Sequence, residues 1–416
     1  MLIEHKLSNL AKLGGGMLHG EDLSFKEIST DTRTIKQGDV FLALKGRNFD
    51  GEDYCKDAIK KGAICIISEK NLKQISTFIK VPSTFSFLKK LAEIQRKLFR
   101  KPVIAITGSN GKTSTKEILY KILDKYFSKK IFKSPGNWNN ELGVYFSLLR
   151  LTHYHRIAIF EIGTSAPGEI KELSAFLNPD IGIITNIGNS HLEGLLSIEG
   201  VMREKTDLFE SVDKNGICLI RTKEEFLPSI KEKSKNKKLI ILDESEELSF
   251  DQNIEMALKT TSCLSNKINE NCNPSESTIE SIKKSFSVPG RQEIMIGKNN
   301  VTIMNDTYNA NPESFKDAFK KIKSLKFKNK ICVMGKMGEL GEKSNSYQDQ
   351  VISLSSEIFD LVFALDIETN LSYKNLKLIN ASEIENLLLD HLNEDSIVLF
   401  KASRSVRMER IVKLFI

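Results

Sequence analysis

The run Thr107-Gly108-Ser109-Asn110-Gly111-Lys112-Thr113 has the composition of a phosphate cradle. It follows Val103-Ile104-Ala105-Ile106, an apolar run that reads as a buried strand, and it leads into a helix expected from about Ser114 to Tyr126. Glycines let the backbone wrap an anion, and the N–H groups and dipole at a helix start attract it. Lys112 would neutralise the β- and γ-phosphates, and the Thr113 hydroxyl would hold Mg²⁺. The usual spacing places a glycine five residues before Gly111; that position is Ile106, so the loop is a shorter variant. The pattern points to nucleotide binding over a ligand-free Gly-rich turn. It does not choose between kinase, ATPase and ligase.

Three more groups are candidates for chemistry. Glu161 ends the apolar strand expected at 157–162, and His191 follows the strand at 181–185 and its Asn186-Ile187-Gly188 turn. In parallel α/β sheets, ligands gather outside the carboxyl ends of strands. A carboxylate and an imidazole placed there would hold a second Mg²⁺. Lys205, in Arg203-Glu204-Lys205-Thr206-Asp207-Leu208-Phe209, lies on a predicted helix, and spacing alone puts it on a solvated face.

The elements that position these residues alternate strand and helix, which predicts parallel sheets covered by helices. Val40–Leu44 and Ala63–Ile67 read as strands of a small α/β unit, with GRNFDG as a loop; 86–100 has helical spacing. Short strands are expected near 217–220 and 239–242, with a Lys/Glu-rich stretch between them. The Ser/Asn/Thr-rich stretch 260–285 gives no clear pattern. From about 290 another α/β unit begins, with strands at 301–304, 331–334, 361–365 and 397–400. We divide the chain into 1–83, 84–289 and 290–416.

The 416 residues are 40% hydrophobic and 28% charged, as in soluble globular proteins, and at about 100–200 residues per domain the length suits two to four domains. No apolar run approaches the roughly 20 residues of a membrane helix, and the N-terminus lacks a secretory pattern, so no membrane insertion is expected. Six scattered cysteines without CxxC pairs suggest neither zinc nor disulfides and suit a reducing, cytoplasmic setting. The net charge of +7 is spread mostly over lysines, with no nucleic-acid-binding motif, so no nucleic-acid partner is expected.

The segments STDTR with GDVFLALKGRNFDG, TGSNGKTSTKE, SPGNWNNELGV, FEIGTSAPGEI, ITNIGNSHLEGL, EKTDLF, VPGR, NDTYNANPES, GKMGELGEKS and KASRS together resemble the Mur ligases. GNWNNELGV, GEI, YNANP and MGELGE are most similar to the branch that adds D-alanyl-D-alanine to a UDP-linked muramoyl tripeptide. The resemblance runs from about residue 29 to 412 and is weakest across 210–285. It implies three domains: one for the UDP-sugar, a central P-loop domain for ATP, and a Rossmann-like C-terminal domain. It implies an ATP-dependent ligase of peptidoglycan precursor synthesis, acting through an acyl phosphate on UDP-N-acetylmuramoyl-tripeptide and D-alanyl-D-alanine, expected to work as a monomer. It assigns Lys112 and Thr113 to the phosphates and the first Mg²⁺. Glu161 and His191 fall on metal ligands, Lys205 on the lysine that is carbamylated, and Arg291 on the γ-phosphate arginine. Asp306 falls on the ribose ligand, with Tyr308 beside it. Ser29, Asp31 and Arg33 lie in the UDP-contacting segment, Asn139 and Asn140 near the muramoyl peptide, and Asn311 and Ser314 facing the dipeptide.

The sequence also departs from that family. In Gln252-Asn253-Ile254-Glu255-Met256, Asn253 keeps an adenine-contacting amide, but Met256 replaces the second. The stretch between Phe209 and Asn253 is shorter than that family's, so beyond the two short strands it is expected to lack strands the family has in its ATP domain. Lys336 replaces an aspartate, and Glu52 and Tyr347 replace histidines. Other amide ligases of the same scaffold, such as folylpolyglutamate synthases, and a non-catalytic nucleotide-binding homologue are the alternative readings.

Overall fold

Short apolar runs bounded by turns become the strands of three α/β sheets in the computed structural model, which describes residues 1–46, 49–243 and 249–416. Arg47 and Asn48, part of the loop expected at GRNFDG, lie outside the described residues. The chain forms two compact units: Met1–Pro102 with Lys129–Ala158, and Val103–Ser128 with Ile159–Ile416.

In the first unit, strands Ile28–Ser29, Val40–Leu42, Cys65–Ser68 and Phe78–Lys80 pair in parallel, and Met17–His19 closes the edge antiparallel to Phe78–Lys80. Ile35, Phe41, Cys55, Ala58, Ile66 and Phe78 form its core. Strand Val40–Leu42 is shorter than the apolar run because Leu44 N–H turns back onto the Leu42 carbonyl (2.9 Å). Glu52 ties this unit together: its carboxylate accepts from the Ser68 hydroxyl (2.8 and 2.9 Å) and from Glu69 N–H (2.9 Å). Helix Thr84–Leu98 begins at Ser83, whose hydroxyl accepts from Ser86 N–H, and buries Phe87, Leu88, Leu91 and Ala92. Its buried Gln95 donates to the carbonyls of Leu148, Leu149 and Leu151 at 3.2–3.3 Å. That satisfies acceptors left open at the end of helix Glu141–Leu149.

The second unit contains two sheets. The central one includes, in order, Lys238–Leu242, Ile217–Arg221, Ile181–Ile184, Val103–Thr107 and Ile157–Glu161. Its first four strands are parallel, and the inner ones are buried throughout, as continuous Ile/Val/Leu runs dictate. The other sheet runs Glu293–Ile296, Thr302–Asp306, Ser396–Lys401, Asn329–Met334, Leu361–Leu365, Leu376–Ile379, parallel except for its first strand. Val301, Ile331, Val333, Phe363, Val398 and Phe400 are among its core residues. Among the described residues, no helix is long and apolar enough to cross a membrane.

Within the short stretch after Phe209, Ile217–Arg221 and Lys238–Leu242 both form strands, with helix Leu227–Lys233 between them. The Ser/Asn/Thr-rich stretch is helical, in Ser249–Ile268 and Glu276–Ser285. Its hydroxyls are satisfied locally: Thr260, Thr261 and Ser265 donate to the carbonyls of Met256, Leu258 and Thr261 at 2.7–2.9 Å. Local bonding of this kind lets polar side chains enter a packed helix.

Candidate active site

Glycine is required at two points of the 107–113 loop. Gly108 (φ 145°) and Gly111 (φ 79°) occupy backbone conformations that L side chains avoid. A Cβ at Gly108 would stand 1.9 Å from Thr185 Oγ1, and one at Gly111 2.4 Å from Asn253 Oδ1. The loop is laced to the segment after strand Ile181–Ile184. Thr185 Oγ1 donates to the Asn110 carbonyl (2.5 Å), Asn110 N–H to Asn186 Oδ1 (2.9 Å) and Ser109 N–H to the Asn186 carbonyl (3.1 Å). Ser109 Oγ donates to the Gly188 carbonyl at 2.9 Å. Helix Lys112–Phe127 starts directly after Gly111, with Ser114 in its first turn. Lys112 folds back, its Nζ donating to the carbonyls of Gly108 (2.6 Å) and Ser109 (3.2 Å). Burial, with Arg291 adding repulsion against the pull of Glu161 and Glu339, brings its ammonium down to about 8.

Thr113, Glu161 and Arg291 form a chain. Arg291 Nη2 donates to Thr113 Oγ1 (2.9 Å), and Thr113 Oγ1 donates to Glu161 Oε2 (2.8 Å). Lys116, fully buried one turn along the helix, approaches the same carboxylate oxygen at 3.2 Å. Burial pushes the Glu161 carboxyl up, but Lys116, Lys112 and Arg291 outweigh it and hold the group below its ordinary range. Hydroxyl and carboxylate oxygens in contact are the hard donors Mg²⁺ takes. Among the described residues, no three His, Cys, Asp or Glu side chains form a metal cluster by themselves.

His191 sits on left-handed backbone (φ 54°) before the short helix Leu192–Leu195, with Nδ1 2.5 Å from Glu339 Oε2. Lys205 lies on helix Ile198–Glu210 and is 1% exposed. The solvated face expected from spacing is therefore wrong: Glu204, Lys205 and Thr206 are all buried, because this helix packs on more than one side. Glu204 turns its carboxylate onto N–H groups of Gly168 (2.6 Å) and Ile170 (2.8 Å), capping helix Glu169–Leu177. Burial drives the Lys205 ammonium well below lysine's ordinary range; Lys112 adds repulsion, and Glu204 opposes it.

The residues after Val288 converge on the same loop. The Arg291 guanidinium lies over the Tyr308 ring (4.1 Å), and Arg404 approaches that ring at 5.8 Å. Asp306 ends strand Thr302–Asp306; its carboxylate accepts from Gln292 N–H (3.2 Å) and from the buried Lys401 ammonium (2.6 Å). Asn311 caps helix Pro312–Ser324 in a reciprocal box with Ser314, and its amide also meets Asn110 of the loop. Glu313 accepts from Asn189 Nδ2 at 2.7 Å. Asn253 accepts from Thr115 Oγ1 (3.2 Å) against Gly111, and Met256 is buried inside its helix. Spacing did not single out Lys116, Glu204 or Lys401, because their burial follows from tertiary packing.

The first unit carries the remaining candidates. Ser29 and Asp31 build a turn in which Ser29 Oγ accepts from Asp31 N–H (3.1 Å). Arg33 is forked onto the Asp31 carboxylate (2.7–3.1 Å), which brings that acid down to about 2. Asn140 caps helix Glu141–Leu149, accepting from Gly143 N–H (2.9 Å), and Asn139 N–H donates to the Asn137 carbonyl.

Comparison with known proteins agrees along the chain. Three family models match: "Mur ligase family, catalytic domain" over 24–96, "Mur ligase middle domain" over 106–295, and "Mur ligase, glutamate ligase domain" over 290–404. A UDP-N-acetylmuramoyl-tripeptide–D-alanyl-D-alanine ligase of Buchnera aphidicola is 31% identical over 448 aligned positions, covering 99% of this chain and 98% of that one. A crystal structure of MurF from Acinetobacter baumannii superposes with a TM-score of 0.85 at 26% identity, covering 99% and 98% of the two chains. MurF ligase from Thermotoga maritima in complex with ADP gives 0.78 at 28% identity, covering 94% and 96%.

Proposed function

The chain belongs to the Mur ligase family, and we propose that it joins D-alanyl-D-alanine to UDP-N-acetylmuramoyl-tripeptide at the expense of ATP, in peptidoglycan precursor synthesis. The observation that carries this reading is the convergence of Lys112, Thr113, Glu161 and Arg291 on one phosphate-sized loop. ATP as co-substrate makes the cytoplasm the site of the reaction.

The chemistry is a phosphoryl transfer followed by an acyl transfer. An oxygen of the tripeptide carboxylate attacks the γ-phosphorus; that O–P bond forms as the β,γ-bridging bond breaks, and ADP departs. The dipeptide amine then attacks the acyl carbon, loses a proton, and the tetrahedral adduct collapses to amide and phosphate. Positioning and charge neutralisation dominate phosphoryl transfer. Lys112 exchanges the carbonyls of Gly108 and Ser109 for phosphate oxygens, and Arg291, braced by Tyr308, meets the γ-phosphate. Asp306 would hold the ribose, Asn253 the adenine. Ser29, Asp31 and Arg33 would hold the UDP end, Asn139 and Asn140 the peptide, and Asn311 and Ser314 border the dipeptide. Regions 1–83, 84–289 and 290–416 divide these tasks.

The donor set suits two Mg²⁺ ions: Thr113 would hold one, and Glu161, His191 and a carbamylated Lys205 the other. When bound, they supply neutralisation of phosphate charge. An amine kept neutral by burial is the form that adds CO₂. The N–C bond forms, one proton leaves, and the charge of that amine changes from 0 to −1.

The test is a panel of amine acceptors with UDP-muramoyl peptides of different length. Amide formation with D-alanyl-D-alanine and the tripeptide is expected. Preference for glutamate on a folate or on another muramoyl peptide would contradict the reading.

A further inference from the structure

The His191–Glu339 contact joins two turns that the sequence keeps far apart. His191 belongs to the turn after strand Ile181–Ile184, Glu339 to the turn after strand Asn329–Met334. His191 Nδ1 lies 2.5 Å from Glu339 Oε2. Neither residue is glycine, yet both are left-handed, with φ of 54° and 62°. Such conformations persist only where the surroundings over-determine them. Here the backbone supplies the constraint: Glu193 N–H donates to the Glu339 carbonyl at 3.1 Å. The two turns are thus pinned at the main chain, and the half-exposed carboxylate is delivered to the ring.

The geometry points to Glu339 as a positioning residue. It fixes the ring orientation and tautomer of His191 through Nδ1 and leaves Nε2 as the nitrogen for a divalent cation. The inference rests on the reading of His191 as a metal ligand. Imidazole ligands held by a carboxylate on the other nitrogen are oriented and more basic, and loss of that partner costs about 10–100-fold in metal affinity. Because Glu339 comes from the region after 290, docking of its turn and completion of the metal site are one event.

Mn²⁺ titration of the full chain with a non-hydrolysable ATP analogue, followed by electron paramagnetic resonance, tests this. The wild-type chain should bind two ions. Glu339→Ala should weaken the second by about 10–100-fold and leave the first unchanged. Glu339→Gln, whose amide oxygen can still face Nδ1, should weaken it less. His191→Ala should lose the second ion. Wild-type Mn²⁺ binding by Glu339→Ala, with the ion lost in His191→Ala, would overturn the positioning role alone. Glu339→Gln as weak as Glu339→Ala would overturn it in favour of a direct ligand. Two ions retained in His191→Ala, or one ion in the wild type, would overturn the metal-ligand reading and the positioning role with it.

Discussion

Asn110 of the phosphate loop and Asn311 of the C-terminal region exchange side-chain hydrogen bonds: Asn311 Nδ2 donates to Asn110 Oδ1 at 2.9 Å, and Asn110 Nδ2 returns one at 3.4 Å. Asn311 Oδ1 also accepts from Ser314 N–H at 2.8 Å, so one residue caps a helix and touches the loop. The two roles separate by mutation. Asn311→Ala should lose stability by about 1 kcal/mol, the usual worth of an N-cap, and should slow ligation as well. Asn110→Ala leaves the cap intact and should slow ligation with little change in urea midpoint. Wild-type turnover in Asn110→Ala would reduce the pair to a structural contact.

Lys112→Ala should lower kcat by at least about 100-fold, the scale of removing one preorganised donor from developing charge. Folding should survive, since among the described residues the ammonium's hydrogen bonds go to the carbonyls of Gly108 and Ser109 of its own loop. Near-wild-type turnover in a chain with an unaltered circular dichroism spectrum would remove the loop lysine from the mechanism.

Lys401→Met strands the Asp306 carboxylate in the interior, with only Gln292 N–H left among the donors described above. Breaking a buried pair from one side costs about 3–5 kcal/mol, whereas replacing both partners costs less. Denaturant unfolding should therefore rank Lys401→Met below the double variant Lys401→Met/Asp306→Asn. The opposite ranking would mean the ion pair contributes little.

Lys205→Ala should lose most activity, and a short carboxylic acid filling the gap should restore part of it by supplying the oxygens of the missing carbamate. An alanine variant as active as wild type would contradict carbamylation. So would activity indifferent to CO₂ removal and to added acid.

Where pattern and burial coincide, the fold was legible. The strands expected at 103, 157, 181 and 217 are read from apolar runs, and all four formed. Edge strands Glu293–Ile296 and Leu376–Ile379 were not anticipated, because their outer residues are exposed and their pattern is weak. The phosphate loop was readable from glycines and GKT alone. Lys205 was not: its helix looks amphipathic with lysine on the wet side, and only packing shows it buried. Glu339 and Lys401 lay inside recognisable motifs, but their partners His191 and Asp306 are 148 and 95 residues away, beyond any local spacing rule.

Phosphate release is the most direct test of the central claim. The purified chain is mixed with ATP and Mg²⁺, then with UDP-N-acetylmuramoyl-tripeptide, D-alanyl-D-alanine or both, and phosphate is followed continuously while products are identified by mass. The account predicts sustained release only when both are present, with one phosphate per UDP-muramoyl pentapeptide. Release indifferent to either substrate, or none with both present in a folded chain that binds ATP, would contradict it.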